Sequence, residues 1–405
     1  MEMLKNRRVL LLYKALIPSA HLCGHCQLEH LALQEKIEYR HSSVGNASRS
    51  LLNWAEIVLL CRLDDAYERG LTQTLRKAGK TIIYVIDDDL QNVPAELSSG
   101  AYYARPDIQA NIRSMIAMSD AVLSPSPVLL AKYVRSDQKS ILLEEPAIDP
   151  AGYVPHDPNR PMKIGFAGSI DRSGDIESIL RSALVRIWKE YGKKVEFVFF
   201  GGTPSCAAEL GAQCIPYSNS YDAYRKTMNE LQLDIGLAPM PDTEFHACKH
   251  YNKFIEYAAA NTVGVFSAVS PYDRISTLFG WELLCDNSSD SWYATIKRLL
   301  DHPDELDVLK QRIALLADTT FSIPVIAHHL LHDLAGIPVN MQQKTIFVHS
   351  LLLCRCIALS KRFANGFKRY GMRGFVILMQ RIGIKFQSIV PRQSKSHSRK
   401  DRELS

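Results

Sequence analysis

Through its first 150 residues this chain alternates short apolar runs with longer amphipathic stretches, and after a proline-rich break the alternation restarts. The apolar runs are Val9–Tyr13, Glu56–Cys61, Thr81–Ile86, Ala121–Leu123 and Ser140–Leu143. Between them Gln27–Lys36, Tyr67–Ala78, Ile108–Met118 and Pro127–Val134 repeat their apolar residues at helical spacing. Gly79 supplies a C-cap for the second of these. Strands separated by helices at this spacing predict βαβ units and a parallel sheet. Glu144–Pro161 carries five prolines and little periodicity, as a linker does. Beyond it, Lys163–Ala167, Val195–Phe200, Asp234–Ala238 and Val263–Ser267 read as strands, and Ile176–Tyr191, Tyr221–Leu231, Lys253–Ala260 and Trp292–Leu300 as helices. The prediction is an α/β protein of two Rossmann-like domains, residues 1–150 and 151–335, joined by a proline-rich hinge. Ligands bind such sheets at the carboxyl ends of the strands.

A length of 405 residues agrees with two cores, and 46% hydrophobic with 22% charged residues is the composition of a folded, soluble protein. Nine cysteines in so long a chain read as reduced thiols of a cytoplasmic protein. The run Val9–Tyr13 is too short for the core of a secretion signal, and Lys14 follows it. The net charge of +5 is unevenly spread. From Gly336 onward fourteen Lys/Arg face two acids, a charge of +12, so the first 335 residues carry 5 − 12 = −7. An acidic body does not bind nucleic acid throughout. Residues 336–405 form a basic amphipathic tail with no uncharged run long enough to span a bilayer. Two readings of it stand: a helix lying in an anionic membrane interface, or one packed back on the body.

The most informative segment is Asp234–Tyr272. A strand ends in a proline-broken loop bearing Asp242, Glu244 and His246, and a helix is predicted to open with Lys249, Lys253 and Glu256. At i, i+4 and i+7 these three share one helical face. Two cations near a helix N-terminus oppose its dipole unless an anion sits there. A diphosphate resolves that conflict, and the carboxylate one turn on accepts hydrogen bonds from a ribose; a solvated Lys/Glu face is the bland alternative. Ahead of it, Lys163–Ser169 is a strand running into the turn Gly168–Ser169, with Arg172 and Asp175 beyond. A small-residue turn lets backbone N–H groups approach a phosphate, and Arg172 adds a cation.

This constellation resembles the donor region of the retaining glycosyltransferases of family 4 (group 1), which have the GT-B fold. It is most similar to bacterial surface-polysaccharide members in which a loop of the form LAPL-x-D-x-x-F leads to K-S-x-x-K-x-x-EYAA-x-G-x-P-V-x-x-S, with Pro-Tyr beyond. Leu237, Ala238, Pro239, Asp242, Phe245, Lys249, Lys253, Glu256, Tyr257, Ala258, Ala259, Ser267, Pro271 and Tyr272 fall on that pattern. The resemblance covers about Met162–Asp318. It implies a sugar transferase, hexosyltransferase-like and retaining, that takes a nucleotide-diphosphate sugar as donor and a glycan or lipid-linked glycan as acceptor; a non-catalytic glycan- or nucleotide-binding homologue in a polysaccharide assembly, and a nucleotide-sugar epimerase of the same fold, are the alternatives. It implies a donor site of Gly168, Ser169, Arg172, Lys249, Lys253, Glu256, Pro271 and Tyr272, with Glu256 on the ribose, the basic groups on the diphosphate, and no cofactor. The departures are Cys248 where the family's more familiar motif has its first Glu, His250 for Ser, Asn261 for Gly and Val263 for Pro.

The first half resembles acceptor domains of the same enzymes at Ile57–Asp65 and Lys80–Pro94. Asp87, Asp88 and Asp89 end a buried-type strand there. Carboxylates at that place orient an acceptor hydroxyl or a base, so Asp87 and Asp88 join Asp242, Lys253 and Glu256 as candidate catalytic residues. A metal-binding Asp pair and a helix N-cap are the competing readings; no metal is expected. Cys23–Gly24–His25–Cys26, with His21 and His30 nearby, is either a zinc site lacking its second ligand pair or the loop after the first strand, facing the acceptor.

Overall fold

The protein is seen in a computed structural model that describes residues 7–356, apart from 219, 341, 348–350 and 353. Expectations for the tail beyond residue 356 lie outside the described residues. The chain forms two compact units, Met1–Val348 and His349–Ser405. The first unit holds two six-stranded sheets, each parallel throughout.

Sheet one contains β1 (Arg8–Tyr13), β2 (Glu38–Ser43), β3 (Ile57–Cys61), β4 (Thr81–Val85), β5 (Ala121–Ser124) and β6 (Lys139–Leu142), ordered β2-β1-β3-β4-β5-β6. Sheet two contains β7 (Met162–Gly168), β8 (Val195–Gly201), β9 (Gln213–Ile215), β10 (Ile235–Ala238), β11 (Val263–Ser267) and β12 (Leu284–Cys285), ordered β12-β11-β10-β7-β8-β9. Both are doubly wound, with order reversing between β1 and β3 and between β7 and β10, so ligand crevices are expected at those strands' carboxyl ends. The strands missed in the sequence, β2, β9 and β12, are edge strands. β2 reads EYRHSS, which has no apolar run because an edge strand buries little.

Central strands β3 and β4 are buried at every position, which is why they read as continuous apolar runs. Between them, Asp65 caps the helix Ala66–Lys77 and Glu68 returns the bond, a capping box that fixes the entry from β3. The expected boundary at residue 335 needs correction. The helix Ile323–Ala335 packs Ile326, Leu330, Leu331 and Leu334 into the first core, against Leu28 and Leu31, whereas the second core ends at Phe321. The following segment also docks on the amino ends of sheet one. Thr81 Oγ1 donates to the Pro338 carbonyl at 3.1 Å, Lys80 Nζ to Gln343 Oε1 at 2.8 Å, and Asn53 exchanges two bonds with Ile346. Of the expected basic tail, the described residues 336–340 and 342–347 thus form a strap on the body. Among the described residues no single helix is long and apolar enough to cross a membrane.

Candidate functional site

A cavity of about 150 Å³ opens at the carboxyl ends of β7 and β8, lined by Gly168, Ser169, Phe200, Tyr217, Tyr221, Tyr224, Lys253 and Glu256, with Pro18 from the first half. Glycines make room for it. Gly201 has φ +87°, and a Cβ there would lie 2.1 Å from the Gly168 carbonyl oxygen. A Cβ on Gly168 would meet the Phe166 ring at 2.8 Å and force it to shift, whereas the Lys253 chain at 3.7 Å would be in ordinary contact.

The helix Asn252–Ala259 presents Lys253 and Glu256 to the cavity. Glu256 is nearly buried and accepts from Lys253 Nζ, from Tyr224 Oη at 2.9 Å and from Asn252 Nδ2 at 3.1 Å. Burial alone would raise its pKa, but the Lys253 ammonium, then the Arg225 charge and the Tyr224 hydroxyl, hold it below the usual carboxylate range. Lys253 is correspondingly raised: burial works against its charge and Glu256 overcomes that. Both groups are ionised at neutral pH beside a wall of rings in which Phe200 and Tyr224 stack at 5.1 Å.

At the end of β10 the Arg172 guanidinium donates to the Pro239 carbonyl and pairs with Asp175 at 2.6 Å. Pro271 follows a cis peptide bond, and Tyr272 beyond it is buried against Phe266, its pKa pushed up to about 12 by burial. Asp242 is exposed, with no side-chain partner among the described residues. His246 is buried and lowered to about 4, by burial first and then by the Arg172 and Lys249 charges. It is a neutral imidazole between two cations.

The predicted shared face of Lys249, Lys253 and Glu256 does not form. The chain breaks between the short helix Glu244–Ala247 and Asn252–Ala259, because His250 turns inward to Glu144 and Tyr251 is fully buried. Lys249 instead crosses the cleft, its Nζ 2.6 Å from Asp88 Oδ1 and 4.7 Å from the Phe245 ring centre. Arg62 completes the group: Nη1 bonds both oxygens of Asp87 (3.0 and 3.1 Å) and Asp88 Oδ2 (3.2 Å). Burial would lift Asp88, but Lys249 and Arg62 hold it below its ordinary value. Arg62 sits at φ +50°, a left-handed conformation that costs a non-glycine residue about 1–2 kcal/mol, at the carboxyl end of β3 beside the switch point. Sequence reasoning missed it; a lone Arg after an apolar strand gives no signal.

Asp89 is separate from its neighbours. It is buried and takes bonds from Lys132 (2.6 Å), Tyr133 and Asn92, a structural role. It also explains Cys248, whose thiol lies 3.8 Å from Asp89 Oδ2 and is raised to about 11, chiefly by burial. A carboxylate at 248 would face Asp89 in a buried site, a like-charge contact. Asn261 has φ +52° and spends its amide on Val154 N and Lys310 O, so Asn replaces Gly where the left-handed region is required. The Cys23–Cys26 segment is packed inside the protein. Cys23 is bonded to Glu145 and Cys26 to the His21 carbonyl, both thiols are held protonated by burial, and no cluster of three metal-ligating side chains exists among the described residues.

No family model matches the chain, and no curated protein matches it. Solved structures do. Sucrose-phosphate synthase from Thermosynechococcus elongatus superposes with a TM-score of 0.57 at 12% identity, covering 82% of this chain and 100% of that one. HepE of Anabaena, in complex with UDP and glucose, gives 0.53 at 10% identity over 82% and 100%. A Listeria monocytogenes protein described as a UDP-N-acetylglucosamine 2-epimerase gives 0.51 at 13% over 85% and 100%. At such identities the likeness defines the fold: paired Rossmann-like domains of the GT-B type, shared by glycosyltransferases and by epimerases of nucleotide sugars.

Proposed function

We propose that the protein transfers a sugar from a nucleotide-diphosphate sugar to a hydroxyl of a glycan or lipid-linked glycan, as a retaining hexosyltransferase of the family 4 kind in surface-polysaccharide assembly. The observation that carries this reading is the ionised Lys253–Glu256 pair, roofed by Tyr224, in a cavity that opens on the Gly168–Ser169 turn. Glu256 accepts the ribose hydroxyls, and the diphosphate lies against the turn's backbone amides, Lys253, Lys249 and Arg172. In this reading Pro271 and Tyr272 complete the donor site. Fixed cations neutralise the charge that develops on the departing diphosphate, which is the largest catalytic effect such a site offers. Asp87 and Asp88 face the donor from the first half, where an acceptor hydroxyl needs a proton acceptor. Asp242, exposed on its loop, is the further candidate carboxylate.

In this reading residues 1–150 with the returning helix bind the acceptor, and the β7–β12 half binds the donor. The enzyme is cytoplasmic, and its basic tail beyond the strap meets the anionic inner face of the membrane. An epimerase of the same fold is the second reading, favoured by the Listeria likeness. A thermal-shift panel of UDP-, GDP- and dTDP-sugars tests the proposal: one nucleotide series raises the melting temperature, and its free diphosphate does likewise. No shift from any nucleotide removes both readings.

A further inference from the structure

A row of six rings leads away from the donor cavity: Tyr13 and His25 are buried and anchor it on the first core, Tyr221, His21 and Tyr39 are half-buried, and His41 is exposed. It begins at Tyr221, which lines the cavity and stacks on Tyr224 with centres 6.0 Å apart. Tyr221 faces His21 across the cleft at 5.5 Å; His21 meets His25 at 5.5 Å, and His25 meets His41 at 4.6 Å. His41 then stacks on Tyr13 and on Tyr39, each at 5.9 Å. The row thus joins the second half to the edge strand β2 of the first.

The row is built rather than incidental. Tyr13 Oη bonds His41 Nδ1 at 2.7 Å, and Tyr39 Oη bonds His25 Nδ1 at 2.9 Å, which fixes the ring planes. Exposed His41 keeps Nε2 for a ligand, and half-buried His21 has no side-chain hydrogen bond among the described residues. Burial lowers the pKa of His21 and His25, so these imidazoles are neutral and can both donate and accept. The charges that reach the row are mostly acidic: Glu29 beside His25, and Asp149 and Asp222 near His21. Arg225, near Tyr221, is committed to the Glu256 carbonyl.

Flat rings with polar edges suit pyranoses, whose C–H faces stack on aromatic faces while their hydroxyls need partners at the rim. An acidic surround repels carboxylates and phosphates. We propose that the row from Tyr221 to His41 binds the acceptor glycan, and that it selects uncharged pyranose units over uronic acids or sugar phosphates. This rests on the transferase reading, and its test separates the two.

Saturation-transfer NMR on the full chain, with methyl α-glucoside, methyl β-galactoside and methyl glucuronide as probes, reads the site directly, and UDP titration of the same samples reads the donor site. Wild type should give signal from at least one neutral glycoside and at least five-fold less from the glucuronide. His41→Ala and His21→Gln should each cut the neutral signal at least five-fold while UDP affinity and melting temperature hold. An equal glucuronide signal, or undiminished signal in both variants, overturns the proposal. UDP binding by wild type with no glycoside signal overturns it alone. A His41-dependent glycoside signal without binding of any nucleotide supports the carbohydrate row and sinks the donor reading instead.

Discussion

Replacing Asp88 by Asn should tighten nucleotide binding, although Asp88 lies on the half of the protein that does not hold the nucleotide. In the empty cleft Lys249 gives its ammonium to Asp88 at 2.6 Å. A diphosphate must take that ammonium away, so Asp88 competes with the ligand. Both side chains are about a quarter exposed, at 26% and 25%. The full Coulomb attraction at about 4 Å and an effective dielectric near 20 is about 4 kcal/mol, but solvent and side-chain entropy reduce net values for such pairs to about 1 kcal/mol. Removing the competitor should therefore improve the dissociation constant of UDP, or of whichever diphosphate binds, by about five-fold. Isothermal titration measures it. Lys249→Ala should weaken binding, and in that background Asp88→Asn should change little, because Asp88 competes with the diphosphate through Lys249 while Arg62 stays bonded to Asp87. Turnover should move the opposite way: with Lys249 gone to the donor, Asp88 loses its strongest stabilising charge, its pKa rises, and it becomes a better proton acceptor. Unchanged or weaker diphosphate binding by Asp88→Asn refutes this exchange.

Glu256→Gln keeps bonds to Tyr224 and Asn252 but replaces the ionised acceptor of the ribose hydroxyls by a neutral amide, so nucleotide affinity should fall at least ten-fold in the same titration while the fold persists. His250, bonded to Glu144 and near Glu145, has its pKa raised to about 9: burial opposes its charge and the carboxylates more than restore it. Because the folded value lies above the unfolded one of about 6.5, this stabilisation is complete below pH 6.5 and disappears as pH rises through 9, at most about 3 kcal/mol. The melting temperature should drop across that window, and His250→Gln should flatten the profile; an unaltered profile contradicts the assignment. A chain ending at Val348 keeps the strap and should lose salt-sensitive binding to phosphatidylglycerol vesicles at unchanged melting temperature, whereas equal vesicle binding removes the membrane role.

The doubly wound sheets were legible because buried parallel strands are apolar at every position, as in β3 and β4, and need no tertiary information to be seen. The edge strand β2 was not, since EYRHSS buries too little to leave a pattern, and with it went the rings of Tyr39 and His41. Lys253, Glu256 and Gly168 were named together from a motif whose spacing matches the fold locally, and they line one cavity. Lys249 was found but misplaced, because the helix that would have aligned it breaks at buried His250 and Tyr251, a tertiary effect. The partnership of Arg62 with Asp87 and Asp88 joins ends of two strands, and that of Lys249 with Asp88 joins two domains. Such contacts leave no mark on a single sequence. The closing helix showed its amphipathic face in the sequence; which core it would enter was decided by the return of the chain across the hinge.

The central claim is that the diphosphate is a leaving group held by side-chain cations and backbone amides, and that an acceptor completes the reaction. Release of free nucleoside diphosphate from the preferred nucleotide sugar, followed with and without a glycan acceptor in excess chelator, measures this most directly. Acceptor-dependent release that the chelator leaves unchanged is the predicted result. Release abolished by chelator and restored by manganese would assign Asp87 and Asp88 to a metal, and conversion of the donor to its epimer with no acceptor required would contradict transfer altogether.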